Sequence, residues 1–264
     1  MIKTISLFGL FIIVFMAMSG CSQIGYLKPG DPAYAEAEQA WKLYGERVKS
    51  QGAGDQAFWV KGSLTYTSSG RTSRVIAEIW GDNDLPARLN VSSPMGVNLL
   101  LCREDKNGFI AFAPDREEAW SFSGAAKGLA SLGMASAFSL PVLAKMSFGN
   151  IDQSLLATDF ESAKKVPGKG FEFFFAGNNR ASSLMVDAGG RPLKLTGRPG
   201  DRFLVSFDDY KNNDDVEAPG KIIFEGRKAT AEIIVKDREL RPDRWPERSL
   251  KMEIPDGVLL KKVN

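Results

Sequence analysis

The feature that most constrains this chain is a long series of short segments in which apolar and polar residues alternate. Phe58, Val60, Leu64 and Tyr66 share one face of the first segment. Further segments follow at about 75–79, 87–92, 97–103, 109–113 and 118–122. A period of two is typical of half-buried β-strands, and the short polar or Gly/Pro breaks between segments indicate antiparallel neighbours.

The second half of the chain repeats the pattern after a break. Strands are expected at about 170–176, 182–187, 191–197, 202–207, 221–225, 229–236 and 250–254, with a hairpin turn at Gly189-Gly190 and a loop over residues 212–215. About a dozen antiparallel strands with few helices predict a mainly β protein with a helical insert. We expect one curved sheet or open barrel over residues 32–264, and not two domains.

Two regions favour helix. Asp31-Pro32 is typical of a helix start, and apolar residues then recur at spacings of three and four up to Gln51-Gly52. Residues 124–149 are rich in Ala, Gly, Leu and Met and predict two short helices with Ser139 as a cap. Since this insert carries few charges, we expect it to be buried or to face an apolar ligand, through Leu129, Leu132, Met134, Phe138, Leu140, Val142, Leu143 and Met146.

The N-terminus has the pattern of a secretory signal. A single early charge, Lys3, precedes an apolar run from Leu7 to Met18 that is short for a transmembrane helix. The residues before Cys21 look like the lipobox of bacterial lipoproteins, in which the cysteine is diacylated and becomes the first residue. Residues 1–20 are therefore expected to be a signal peptide and 21–31 a lipidated tether. Ser22 favours the periplasmic face of the outer membrane as the destination.

Composition excludes several kinds of chemistry. The chain has no histidine, which removes Ser-His-Asp and Cys-His sites and the commonest transition-metal ligand. No phosphate-binding or dinucleotide motif is present. Adjacent acids such as Asp208-Asp209 point to opposite faces of a strand, so we do not expect them to form a catalytic pair. A Ca²⁺ site in the 212–215 loop stays open as an alternative to a solvated loop. The 34 basic and 32 acidic residues are interspersed, so no nucleic-acid partner is expected. We predict no enzyme and no cofactor.

The segment from Val91 to Leu100 contains a Pro-x-Gly turn with an apolar residue at its tip. Pro94 suits the second position of a type I turn and Gly96 the fourth, which leaves Met95 at the third, where small polar residues are usual. Two interpretations stay open. Either Met95 folds back onto its own sheet, or it contacts a membrane or a cargo molecule.

The order of these parts resembles the LolB outer-membrane lipoprotein receptor and its periplasmic relative LolA. Residues 61–66 are similar to the family's first strand, Ile79-Trp80 to the end of its second, and residues 88–96 to the strand that leads into its Pro-Leu-Gly turn. Leu140-Pro141 to Gly149 resembles its internal helix. The chain is longer than a typical LolB, mainly after Phe203, and lacks that helix's tryptophan.

The resemblance implies an open, strongly curved antiparallel β-barrel whose helices cover an apolar cavity for acyl chains. Pro94, Met95 and Gly96 would form the loop that inserts into the membrane or meets the cargo. The cavity would be lined by Phe58, Val60, Leu64, Tyr66, Leu129, Leu132, Met134, Phe138, Leu140 and Leu143. Expected partners are the acyl chains of lipoproteins or membrane lipids, a periplasmic lipoprotein carrier, and the outer membrane through Cys21.

Two functions from different classes fit these features. One is a lipid-binding receptor that helps insert lipoproteins into the outer membrane. The other is an envelope scaffold with a filled barrel and no role in lipid transfer. They differ in the space left inside the barrel.

Overall fold

A computed structural model describes residues 25–50, 56–132, 138–157, 159–177, 179–213, 216–226 and 229–263. Four helices lie within these ranges: α1 (Pro32–Ser50), α2 (Ala125–Ser131), α3 (Leu140–Ser147) and α4 (Glu247–Leu250). The strands are β1 (Ala57–Ser68), β2 (Arg71–Asp82), β3 (Ala87–Ser92), β4 (Asn98–Asp105), β5 (Gly108–Ala113), β6 (Glu118–Phe122), β7 (Ser162–Val166), β8 (Gly170–Phe174), β9 (Ala181–Val186), β10 (Pro192–Gly197), β11 (Leu204–Asn213), β12 (Val216–Glu225), β13 (Ala229–Arg241) and β14 (Leu260–Lys262).

All the strands belong to one sheet. Their order is β14-β6-β5-β4-β3-β2-β1-β13-β12-β11-β10-β9-β8-β7, and every neighbouring pair is antiparallel except β14 with β6. The first half of the chain builds one side of the sheet and the second half builds the other. They meet where β1 pairs with β13. The predicted fold class, a mainly β, open and strongly curved antiparallel sheet with a helical insert, is confirmed.

Helix α1 covers the concave face of the second half of the sheet. Ala37, Ala40 and Tyr44 are buried. The ring of Trp41 packs on Phe173, with 5.0 Å between ring centroids, and contacts two further phenylalanines, Phe160 and Phe175. The apolar spacing predicted for residues 34–48 therefore faces the sheet, as an amphipathic helix requires.

The helical insert covers the concave face of the first half. Helix α2 contacts β5 and β6, whereas α3 contacts β1, β2, β3 and β12. Gly128 lets α2 approach the sheet closely, because a Cβ at this position would lie 2.2 Å and 2.6 Å from two ring atoms of Phe109. The two short helices expected between residues 124 and 149 are both present.

The C-terminal segment, residues 242–263, crosses the convex face of the first half. The Trp245 indole N–H donates to the Phe58 carbonyl at 3.1 Å, and the Trp80 indole N–H donates to the Ser249 carbonyl at 3.1 Å. The strand predicted at 250–254 is wrong. Leu250 ends α4, and an extended stretch then leads to β14, because this segment packs on side chains of the convex face until it reaches the free edge of β6.

Other predictions need smaller corrections. Strand β7 was not predicted, since its sequence, SAKKV, has only a weak alternation. Of the loop expected over residues 212–215, the first two residues belong to β11, which runs to Asn213, and the other two lie outside the described residues; β12 begins at Val216. Cys102 is fully buried and packs as a small apolar residue. No helix in the described ranges is long and apolar enough to cross a membrane.

Two helical glycines give a test of the close approach of α2. Gly128→Ala should lower the free energy of unfolding by about 1–3 kcal/mol, because the new methyl group collides with the Phe109 ring. Gly45→Ala, in α1, is the matched control. Its new Cβ meets nothing within 4 Å, so we expect a gain of up to about 1 kcal/mol from helix propensity. Urea denaturation measures both, and equal effects would contradict the proposed packing.

Candidate functional site

A narrow apolar slot lies between the concave face of the sheet and the two insert helices. Leu129 of α2 and Leu143 of α3 form one wall, and residues from five strands form the other. The strand residues are Leu64, Tyr66, Ala77, Ile79, Leu89, Val91, Phe224, Ala231 and Ile233. No charged side chain lines the slot in the described part of the chain. Its volume is about 50 Å³, room for one or two water molecules in the state described.

The residues predicted to line a cavity are distributed between this slot and the packed core. Leu64, Tyr66, Leu129 and Leu143 line the slot. The others within the described ranges are buried or half-buried in the core: Phe58, Val60, Leu132, Phe138 and Leu140. Met134 and Cys21 lie outside the described residues.

Phe138 lies beside the slot and packs against two other aromatic rings. Its ring lies 4.8 Å from that of Phe203 and 6.2 Å from that of Phe224, measured between centroids. Because all three rings come from the protein itself, they fill much of the interior. The sheet and its helices therefore enclose a slot, not a wide cavity.

Sequence reasoning missed most of the strand wall. Ala77 and Ile79 lie on one face of β2, but the alternation of that strand alone does not show that this face lines the slot. Ala231 and Ile233 join the wall because β13 pairs with β1, with Tyr66 opposite Ala231 and Leu64 opposite Ile233. That pairing connects residues more than 160 positions apart, and local alternation carries no signal for it.

A single buried carboxylate holds the first turns of both insert helices. Glu104 of β4 is 6% exposed and points to the concave face. It accepts the backbone N–H of Ala125 at 3.0 Å and that of Leu140 at 2.7 Å. These N–H groups begin α2 and α3, where helices favour negative charge. Burial raises the pKa of Glu104, and the two backbone hydrogen bonds oppose that rise.

The other end of α3 is held by an arginine. Arg238 of β13 donates from its guanidinium to the carbonyls of Ser147, the last residue of α3, and of Pro219. A cation suits the C-terminus of a helix for the same reason that a carboxylate suits its N-terminus. Helix α3 is therefore fixed to the sheet at both ends. In the part of the chain that the structure describes, only the first turn of α2 is held by a charged group.

The Pro-x-Gly turn between β3 and β4 has the predicted geometry. The Gly96 N–H donates to the Ser93 carbonyl at 2.9 Å, which places Met95 at the third position. Gly96 adopts a φ of 85°, which favours glycine. Met95 is 89% exposed, so it does not fold back onto its own sheet.

Structural comparison relates this architecture to known proteins. A candidate outer membrane lipoprotein-sorting domain from Vibrio parahaemolyticus aligns with a TM-score of 0.51 and 14% identity, covering 77% of this chain and 93% of that one. A DUF1329 family protein from Desulfovibrio piger gives 0.52 and 13%, covering 80% and 93%. A LolA superfamily protein from Nitrosomonas europaea gives 0.48 and 10%, covering 83% and 97%.

This chain shares its fold with the lipoprotein-sorting domain and the DUF1329 protein, which is the LolA-like fold that the sequence resemblance implies. At these identities the likeness establishes the fold and leaves the function to be argued from the site. No protein-family model matches the sequence. No curated protein matches it either. Within the LolA-like fold, the slot and the exposed Met95 turn are the two features whose chemistry suggests a function.

The shared role of Glu104 can be tested by removing its side chain. Glu104→Ala leaves two helix N–H groups without their acceptor, and we expect the free energy of unfolding to fall by about 1–3 kcal/mol. Amide hydrogen exchange at Ala125 and at Leu140 should accelerate together. Glu225→Ala, an exposed strand glutamate, is the control and should change neither quantity. Faster exchange at only one of the two amides would contradict the shared acceptor.

The raised pKa of Glu104 predicts a pH dependence. Between the ordinary carboxyl value near 4.5 and the raised value, the folded protein holds a proton that the unfolded chain has lost. We compare the free energy of unfolding of the unmodified protein with that of Glu104→Gln. The difference in favour of the unmodified protein should be largest at low pH and should fall as the pH rises through the raised pKa. Urea titrations of both proteins between about pH 4 and 8 measure this difference. A difference in free energy of unfolding that does not change with pH would contradict the raised pKa.

Proposed function

We propose that this protein binds acyl chains of lipoproteins or membrane lipids in the slot and helps insert them into the outer membrane. The observation that carries the proposal is the lining of the slot, in which every residue is apolar. At its mouth the half-exposed side chains of Tyr66 and Ile233 continue this apolar surface toward solvent. The LolA-like fold, shared with a candidate lipoprotein-sorting domain, supports the same function.

Acyl binding requires the slot to widen. Its volume of about 50 Å³ is well below the roughly 300–1,000 Å³ of typical ligand pockets. Among the described residues, charged groups fix α3 at both ends but fix α2 only at its first turn, so α2 is the element suited to move. A swing of α2 about Ala125 would part Leu129 from Leu143. Each methylene then buried contributes about 0.8 kcal/mol, so six of them would offset the loss of several side-chain contacts.

The exposed Met95 turn would deliver bound acyl chains to the membrane. Met95 stands away from the sheet at the tip of a turn held by its own backbone hydrogen bonds. Methionine is flexible and apolar, so it suits insertion between lipid tails. Diacylation of Cys21 would keep this turn close to the periplasmic leaflet of the outer membrane, and a periplasmic carrier would supply the cargo.

The scaffold function remains the second candidate, and a specific observation favours it. The described interior is filled by the protein's own rings, including Phe138, Phe203 and Phe224. If α2 does not move, the slot has no room for a ligand chain. Ligand binding in solution separates the two candidates.

The first test measures acyl binding directly. Residues 22–264 should bind a hydrophobic fluorescent dye with defined stoichiometry and release it when a diacylated or triacylated peptide is added. Ala77→Leu places a larger side chain in the slot and should weaken peptide binding about tenfold, equivalent to 1.4 kcal/mol. Thr65→Leu adds an apolar side chain on the opposite face of the neighbouring strand and should leave binding unchanged. Absence of stoichiometric binding by the unmodified protein would favour the scaffold.

The second test concerns delivery. Met95→Glu should leave thermal unfolding unchanged, because the side chain is exposed. It should slow transfer of an acylated peptide to vesicles by about tenfold, since a charge opposes entry into the lipid interface. Met95→Leu is the control and should keep normal transfer. Gross unfolding of the glutamate variant, or normal transfer by it, would contradict the role assigned to Met95.

A further inference from the structure

Within the described ranges, the large apolar side chains that are exposed lie at one end of the sheet. We call this end the rim. It carries the turns that join β1 to β2, β3 to β4 and β5 to β6, and the first residues of β7 and β14. The exposed residues in the described ranges are Tyr26 (61%), Met95 (89%), Val97 (57%), Leu259 (82%) and Leu260 (46%). When exposed apolar side chains are confined to one end of a protein, they indicate that this end contacts a partner.

Strand register places the C-terminal pair at the rim. Strand β14 runs parallel to β6, with Leu260 opposite Ala119 near the start of β6. Leu259 precedes β14 and so lies beside the turn that joins β5 to β6. This turn is at the same end of the sheet as the Met95 turn, because β3, β4, β5 and β6 are consecutive antiparallel neighbours.

The N-terminal chain enters the domain at the same rim. The ring of Tyr26 packs edge-on against Phe174, the last residue of β8, with 5.4 Å between centroids. The Leu27 N–H donates to the Ala163 carbonyl at 2.8 Å, near the start of β7. Cys21 is five residues before Tyr26, so a fully extended chain places it within about 18 Å of that residue.

The position of Leu259 and Leu260 is fixed by the segment that leads to them. Arg103 and Arg88 donate from the convex face to the carbonyls of Leu250 and Lys251. After β14, the Val263 N–H donates to the Ser121 carbonyl at 2.9 Å. The segment is therefore attached to the sheet before and after the leucines. Their exposure is a feature of the docked segment, and the rest of the described chain does not cover them.

We propose that Leu259 and Leu260 form a second membrane contact, separate from the Met95 turn, that seats the rim on a lipid bilayer. A bilayer is favoured over a protein partner because the exposed side chains come from three separate segments and stand apart, which suits a fluid surface. The chain that leads to Cys21 leaves from the same rim. Lys262 is exposed beside the pair and suits anionic headgroups. This contact does not require the acyl binding proposed for the slot.

The test uses a chain that begins at residue 21 and carries Cys21→Ser, so that no acyl group assists membrane binding. Leu259→Cys labelled with an environment-sensitive fluorophore should show a blue shift on vesicles of phosphatidylethanolamine and phosphatidylglycerol. Nitroxide-bearing lipids should quench it. Lys169→Cys, exposed at the opposite end of the sheet, is the matched control and should show neither effect. Cys102 is buried and does not compete for the label.

Partition onto the same vesicles measures the strength of the contact. Leu259→Asp should weaken partition about tenfold while thermal unfolding stays unchanged. Binding of acylated peptide by this variant should remain normal, which separates this contact from the slot. Unchanged partition, or a label at residue 259 that reports water when a label at Met95→Cys reports lipid, would overturn the proposal. So would a self-associated protein that Leu259→Asp converts to a monomer with normal vesicle binding.

Discussion

The pairing of β1 with β13 is the contact on which the rest of the structure depends. It joins the sheet built by the first half of the chain to the sheet built by the second half, over register pairs that run from Ala57 to Ser68. Gly62 stands where the register shifts, and a Cβ there would lie 3.0 Å from the Ile234 carbonyl oxygen. Without this pairing the slot would lose the part of its strand wall that β12 and β13 supply, and α3 would lose the arginine at its C-terminus.

Local patterns predicted what depends on local sequence. The alternation in β1 identified Leu64 and Tyr66, and the Pro-x-Gly spacing identified Met95 as a turn residue. Features built by distant segments were not predictable in this way. Glu104 is an ordinary strand glutamate in the sequence, and only the fold brings two helix N-termini to it. The strand expected at 250–254 was wrong because its alternation reflects packing on the convex face, where no neighbouring strand is available.

The two insert helices are attached to the sheet in different ways, and this difference matters for function. Opposite charges match the two ends of α3, so its dipole favours the docked position. Helix α2 shares the carboxylate of Glu104 but packs elsewhere through apolar contacts, including the close approach of Gly128 to Phe109. Apolar contacts are non-directional and can be replaced by contacts with an acyl chain at little net cost. The opening proposed for the slot would therefore move α2 while α3 and the sheet keep their contacts.

The extra length of the C-terminal region is compatible with an accessible slot because of where it packs. Residues 242–263 lie on the convex face and at the edge of β6, so they leave the concave face to the helices. The mouth of the slot, the Met95 turn and Leu259 then occupy the same end of the sheet. An acyl chain that leaves the slot at this end would pass directly into a membrane held against the rim, without crossing water. The extension thus leaves the slot unobstructed and adds a surface at which the proposed transfer would take place.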